Sequence, residues 1–361
     1  MSDERKLIKT IFIAFTLKES SVADFCIAVA NYLSRNCKVV IFSHANENHG
    51  FLISESVTVL RWPSKRPTRL KDLLFLMKQI RIFKPQILIA NFAAVNIFLL
   101  GGFLSGIKHR IAWYHTLTTQ LEYSNLRRVR KALLYRMATK LVANSQAGKV
   151  DLMKSFYVSD NKIEVLNNAV RYPLYQSRVD QNKIVFAGRL HQVKGIEVLI
   201  RALSTVRKEF GKVKLIIIGE DEGSGEYKKL KILERELSLE GNINFTGNRS
   251  RNFVLEEFSS AYCTVVPSFF EAFGYVVIES FSVRTPVIGS NTTGISEIIR
   301  DNVDGFLFRP GDHDHLAEKI ICLLKDRSLR NRMAENCHRR FIQNYELNKI
   351  AKQFATSLQN Y

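Results

Sequence analysis

The chain reads as an α/β protein made of two successive, doubly wound parallel-sheet domains. Short apolar runs of strand length alternate with amphipathic helical stretches along most of its length, the pattern of strands joined by crossover helices. Its 361 residues are enough for two domains of ordinary size. A polar, proline-containing stretch near the middle, Tyr172-Pro173-Leu174-Tyr175-Gln176-Ser177-Arg178, suits a linker.

In the first half, strands are expected over 8–15, 38–43, 57–60, 86–90, 110–114 and 140–143. Helices are expected over 22–34, 70–83 and 126–138. The second half opens with a strand over 183–187 and runs to about Asn344. Within it an apolar run over 262–266 reads as a buried strand that stops at Pro267, and a helix begins at Tyr275 after a short loop. The last stretch, 346–361, again has helical periodicity. Two doubly wound domains in sequence would hold a ligand in a cleft between them, outside the carboxyl ends of the strands.

Composition narrows the function. The formal net charge is +19, and it is uneven: residues 1–170 hold 25 Lys+Arg against 11 Asp+Glu, the remainder 28 against 23. A basic half suits nucleic acid or an anionic membrane surface. No helix-turn-helix, zinc spacing or RNA-binding aromatic motif is present, so nucleic acid is not expected. The five cysteines, Cys26, Cys37, Cys263, Cys322 and Cys337, are odd in number and lack metal-type spacing, which suits reduced thiols in a cytosolic protein. The charged start lacks the apolar length of a signal peptide, and the longest apolar stretch, 93–107, is too short to span a bilayer. A cytoplasmic protein is expected, with the inner face of the cell membrane as a candidate peripheral location.

The chemistry concentrates around two glutamates, Glu271 and Glu279, in Glu271-Ala272-Phe273-Gly274-Tyr275-Val276-Val277-Ile278-Glu279. Gly274 precedes the amides of a helix start, where an anion is well placed. A carboxylate on either side of that start suits the hydroxyls of a sugar nucleotide. Earlier, Gly188-Arg189-Leu190-His191-Gln192-Val193-Lys194-Gly195 follows a strand. Gly188 permits a tight turn, and the fork of Arg189 and the point charge of Lys194 can converge on a diphosphate. The acidic loop Gly219-Glu220-Asp221-Glu222 fails as a dinucleotide loop, because its acids repel a pyrophosphate.

These segments resemble retaining glycosyltransferases of family 4, the group with an E-x7-E signature and the two-domain GT-B fold. The resemblance runs in order from Ala143-Asn144-Ser145 through the Arg189 and Lys194 loop, Ile216-Ile217-Ile218-Gly219 and Asn244-Phe245-Thr246-Gly247. It continues through the glutamates to Thr285-Pro286-Val287-Ile288-Gly289 and Asp304-Gly305-Phe306-Leu307. It implies an acceptor-binding first domain over 1–172, completed by the helix at 346–361, and a nucleotide-sugar domain over 173–345. Arg189 and Lys194 would hold the donor diphosphate, Glu279 the ribose and Glu271 a hydroxyl of the transferred sugar. Backbone groups of Phe273, Gly274 and Tyr275 would lie near sugar and phosphate, and Gly247 near the base. His115, after a first-domain strand, would face donor sugar or acceptor. No metal is implied.

The expected reaction moves a hexose from a nucleotide-diphosphate sugar, a UDP-sugar ahead of a GDP-sugar, to a glycan or lipid-linked acceptor. Cell-surface polysaccharide, O-antigen or glycolipid assembly is the expected context. The alternative is a catalytically silent sugar-nucleotide-binding partner of another transferase. Two departures from the family stand out: the first loop, Thr16-Leu17-Lys18-Glu19-Ser20-Ser21, has no glycine, and Asn168-Ala169-Val170-Arg171 replaces Asn-Gly-Val-Asp.

Overall fold

The structure is a computed structural model, and it describes residues 9–44, 52–120, 124–173, 175 and 177–359. Ile8, expected in the first strand, Leu174 and Gln176 of the linker, and the last two residues of the tail lie outside the described residues. The chain divides into two compact units. One comprises residues 1–171 and 347–361; the other comprises 172–346.

The first unit begins with β1 (Thr10–Ala14), α1 (Ser21–Leu33), β2 (Lys38–Ser43) and β3 (Val57–Arg61). Then come α2 (Leu70–Phe83), β4 (Ile87–Ala90), α3 (Val95–Leu104) and β5 (His109–Tyr114). It continues with α4 (Asn125–Arg136), β6 (Lys140–Ala143), α5 (Gln146–Phe156) and β7 (Ile163–Val165). The strands pair in parallel in the order β3-β2-β1-β4-β5-β6-β7. β1 is buried over its whole length, as helices on both faces of a parallel sheet require. Strand ends differ from the sequence expectation by a residue or two, the ordinary fraying of element ends.

The second unit holds β8 (Lys183–Ala187), α6 (Ile196–Glu209), β9 (Lys214–Ile218), α7 (Glu226–Glu236) and β10 (Ile243–Gly247). Next are α8 (Arg251–Ser260), β11 (Cys263–Val266), α9 (Tyr275–Ser282), β12 (Val287–Ser290) and α10 (Thr293–Ile298). β13 (Gly305–Phe308), α11 (His313–Lys325) and α12 (Arg327–Asn344) close it. Its order is β10-β9-β8-β11-β12-β13, again parallel throughout.

The last helix, α13 (Leu347–Gln359), belongs to the first unit. It packs on α1, and Leu347, Ile350, Phe354 and Leu358 are buried in the same core as Phe25 and Val29. Phe354 lies 4.9 Å from the Trp113 ring. Burying such side chains contributes about 1.5–3 kcal/mol each, so α13 is part of that domain's stability.

Strand order reverses between β1 and β4 in one unit and between β8 and β11 in the other. At such a point the loops leaving two neighbouring strands diverge and open a crevice at the strands' carboxyl ends. Each unit therefore offers one crevice, and the candidate residues fall around these two.

Candidate active site

In the second unit the crevice lies between the loop after β8, which carries Gly188 to Gly195, and the loop after β11, which carries Pro267 to Gly274. The two loops are tied together. Phe269 N donates to Val193 O at 2.9 Å. Gly195 has φ 65°, and a Cβ there would stand 2.1 Å from Pro267 O, so only glycine fits. This closeness brings Lys194 onto Glu271: Nζ donates to Oε2 at 2.7 Å, with about a fifth to a quarter of each side chain exposed.

The Glu271 loop is fixed from its other side by α10. Gly294 N donates to Glu271 O at 3.0 Å. A Cβ on Gly294 would meet Glu271 O at 2.5 Å and Phe273 N at 2.6 Å. Phe273 itself is buried, its ring 5.6 Å from Tyr275 and 6.2 Å from Tyr345, so its side chain belongs to the core and only its backbone is available to a ligand. Gly274, with φ 102°, turns the chain into α9 and brings no side chain of its own over the helix start.

Glu279 sits on the second turn of α9, its Oε1 3.1 Å from Arg251 Nε at the start of α8. No motif in the sequence marks Arg251. One signal was available: Ser250 caps α8 by accepting from Phe253 N at 3.3 Å, and a cation follows at once in the turn where the helix dipole disfavours it. An unfavourable charge at a well-formed helix start suggests a partner, and here that partner is Glu279.

Arg189 is placed differently from Lys194. It pairs with Glu222 at 3.2 Å, and both side chains are well exposed. The acidic segment is a loop between β9 and α7, as its charges required. Gly219 crosses so close to the β8 loop that a Cβ would meet Gly188 O at 1.9 Å. Beside this crossing is a cavity of about 620 Å³ lined by Leu190, Gly219, Glu220, Tyr227, Phe245 and Gly247. His191, given no role from sequence, makes a local contact: its Nδ1 accepts from Val193 N at 3.2 Å.

In the first unit, His115 follows β5 and its Nε2 lies 2.9 Å from Asn91 Oδ1. The Asn91 amide nitrogen donates to Ala14 O and Cys26 Sγ, which leaves its oxygen to accept from His115. Nε2 therefore carries the proton. Phe92 stacks on the imidazole at 4.3 Å and holds an unusual positive φ of 52° for a phenylalanine. Burial pushes the His115 pKa down to about 3, so the ring is neutral at working pH. Ser145 accepts from Gly148 N at 3.0 Å as the N-cap of α5, and Asn144 Nδ2 only approaches His115 O, at 3.5 Å. At the crevice between β1 and β4 a second cavity of about 620 Å³ is lined by Lys18, Trp62, Lys65, Arg66, Asn91 and Phe92. Ser20 of the glycine-free loop caps α1 instead of facing it.

Two family models match this chain: Glycosyltransferase Family 4 over residues 22–172, and Glycosyl transferases group 1 over residues 175–340. The chain belongs to glycosyltransferase family 4. This glycosyltransferase is 28% identical over 313 residues to the capsular polysaccharide biosynthesis glycosyltransferase CapM of Staphylococcus aureus, covering 77% of this chain and 78% of CapM. It is 25% identical over 337 residues to an uncharacterized glycosyltransferase of Haemophilus influenzae, covering 91% of this chain and 93% of that one. Against other relatives it spans about half of their length or less: 44% of an uncharacterized glycosyltransferase, MJ1607, of Methanocaldococcus jannaschii, at 32% identity over 48% of this chain, and 51% of the D-inositol 3-phosphate glycosyltransferase of Nocardiopsis dassonvillei. Among solved structures, Anabaena Alr3699/HepE in complex with UDP superposes with a TM-score of 0.83 over 98% of this chain and 100% of that chain, at 19% identity. That likeness shows the GT-B fold. Among the described residues, no helix of the glycosyltransferase is long and apolar enough to cross a membrane.

Proposed function

We propose that this protein is a retaining hexosyltransferase that uses a nucleotide-diphosphate sugar, a UDP-sugar first, and a glycan or lipid-linked acceptor. The contact between Lys194 and Glu271 carries the reading. It joins a cation suited to a diphosphate and a carboxylate suited to sugar hydroxyls, at the switch point of the second sheet and beside the start of α9. Glu279 takes the ribose, and the cavity between Tyr227, Phe245 and Gly247 takes the base. The UDP and UDP-glucose complexes of HepE support a uridine donor. CapM, named for capsular polysaccharide biosynthesis, supports a cell-surface glycan as the product.

In the transfer, the acceptor hydroxyl oxygen bonds to the anomeric carbon as the bond from that carbon to the diphosphate oxygen breaks. The hydroxyl proton passes to the departing phosphate oxygen. Negative charge grows on the diphosphate, and Lys194 and Arg189, exchanging Glu271 and Glu222 for the phosphates, stabilise it. Same-face transfer, in which the departing phosphate oxygen takes the acceptor proton, needs no protein nucleophile, so Glu271 orients the sugar. Attack and departure on one face retain the anomeric configuration.

The first unit takes the acceptor. The cavity beside Asn91 sets Lys18, Lys65 and Arg66 around Trp62 and Phe92, which suits an acceptor with an anionic group and an apolar or sugar face. A lipid-linked acceptor of that kind would bring the enzyme to the inner face of the cell membrane.

The test is product formation by purified protein from UDP-hexoses and bacterial lipid-linked acceptors, with the anomeric configuration read by NMR. A product of retained configuration supports the reading. UDP binding with no product from any donor and acceptor pair would support the silent binding partner.

A further inference from the structure

The helical layer formed by α2, α3 and α4 carries a surface that lines neither crevice cavity. α2 packs on α3, and α3 on α4. On α4, Leu126 is 79% exposed, Val129 58% and Leu133 51%. Steps of three and then four residues set them in one stripe along the helix. Arg127, Arg128 and Arg130 are exposed on the same turns. α2 repeats the arrangement with exposed Leu70 and Leu74, four residues apart, beside exposed Lys71, Lys78 and Arg81. The sole carboxylate on these three helices is Asp72, which is buried and accepts from Arg69 N at 3.0 Å.

Two features of this surface work against the isolated domain. Large aliphatic side chains stand in water in organised stripes, and organised apolar exposure marks a contact surface where scattered exposure does not. The first turn of α4 holds Arg127 and Arg128 and no acid, although the helix dipole favours acids there. Both features become favourable against a layer with hydrocarbon beneath and negative charge above. The core of a protein interface is depleted in charge and rich in aromatics, with charge at its rim. Here cations alternate with Leu and Val on the same turns. A nucleic acid would leave the aliphatic stripes unsatisfied.

We propose that this face docks the protein on an anionic phospholipid bilayer, with Leu126, Val129 and Leu133 at the acyl boundary and the arginines on lipid phosphates. The proposal rests on the reading of a lipid-linked acceptor for its purpose. Its failure is separable from failure of that reading, because vesicle binding is measured with no acceptor present, whereas the acceptor reading is tested by product formation.

The experiment is co-sedimentation of the full chain with vesicles of phosphatidylcholine, alone or mixed with phosphatidylglycerol. The wild type is compared with a Leu126→Ser/Val129→Ser/Leu133→Ser variant and an Arg127→Glu/Arg128→Glu variant. The wild type binds the mixed vesicles and leaves the neutral ones largely in solution. The serine variant loses about tenfold or more of that affinity, while its melting temperature and its stabilisation by UDP match the wild type. The glutamate variant loses the preference for anionic vesicles. Single Leu126→Ser serves if the triple variant folds poorly. Equal binding to both vesicle types, or wild-type binding by a folded serine variant, overturns the proposal. So does a wild-type dimer in sedimentation velocity that the serine variant abolishes, since the face would then belong to a second copy of the chain. Vesicle binding as expected, with no nucleotide stabilisation, would leave docking intact and remove the donor reading.

Discussion

Lys194 and Glu271 hold each other at 2.7 Å across 77 residues of chain. The pair forms because β8 and β11 are neighbours at the point where strand order reverses, and because Gly195 lets one loop rest on the backbone of the other. Before a donor arrives, each residue neutralises its partner. In the proposed roles, a diphosphate would compete for Lys194 and leave Glu271 to accept from sugar hydroxyls, which would couple phosphate and sugar recognition.

Lys194→Ala is therefore expected to lower kcat/KM by about 10²–10³, the usual size of losing one preorganised charge on a leaving group. In the proposed role of Glu271, Glu271→Gln would remove sugar orientation and leave the cation in place. Its loss should appear with the sugar nucleotide and not in affinity for UDP alone. Steady-state kinetics beside UDP titration tests both; equal loss of UDP affinity in the two variants contradicts these roles.

Gly294→Ala places a methyl group against Glu271 O and Phe273 N. Backbone must move to admit it, at a cost of about 1–3 kcal/mol in stability. The movement falls on the Glu271 loop, so activity should fall further than the stability loss explains. Denaturant unfolding and turnover measured on the same samples decide this.

Arg251, at the start of α8, lies 3.1 Å from Glu279 on the second turn of α9, a contact suited to orienting that carboxylate. Arg251→Ala should raise the donor KM about tenfold, or about 1.4 kcal/mol, with kcat little changed. Arg251→Lys should recover part of the loss. A fall in kcat with constant KM would assign Arg251 to the reaction step instead.

His115 gives a pH test. Its pKa in the folded protein, about 3, lies below the ordinary value of 6.5 because burial disfavours the charged ring. The stability linked to the neutral ring is thus fully present above pH 6.5 and is lost progressively as pH falls toward 3. The slope from this one group is at most about 1.4 kcal/mol per pH unit. Urea unfolding near pH 7 and pH 5 should show a smaller acid loss in His115→Gln than in wild type. An equal loss in both contradicts the burial argument. The same shift means that an activity change between about pH 5 and 8 does not report His115.

Much of the fold was readable because a parallel sheet covered on both faces leaves near-continuous apolar runs. Lys38–Ser43, Lys140–Ala143 and Lys183–Ala187 are such runs, and their bounds follow from pattern alone. β7 is three residues long, too short to show any period, and takes its place by pairing with β6. Lys194 and Glu271 could be named separately from their loops, but their contact depends on strand order, which no local pattern contains. The partners of Arg189 and Glu279 were invisible for the same reason. Glu222 and Arg251 reach them from loops and helices fixed by other strands. The neutral state of His115 needed Asn91 and Phe92 from the end of β4, brought beside β5 by the sheet.

The proposed nucleotide-sugar site is built on the second unit. Thermal unfolding of wild type and Glu279→Ala with UDP, GDP, ADP and their sugar conjugates, without added metal, decides whether it exists. Selective stabilisation by UDP and a UDP-sugar is expected, about 2.7 kcal/mol at a hundredfold excess over Kd, and it should be lost in Glu279→Ala. Stabilisation that survives unchanged in Glu279→Ala, or none from any nucleotide, would contradict it.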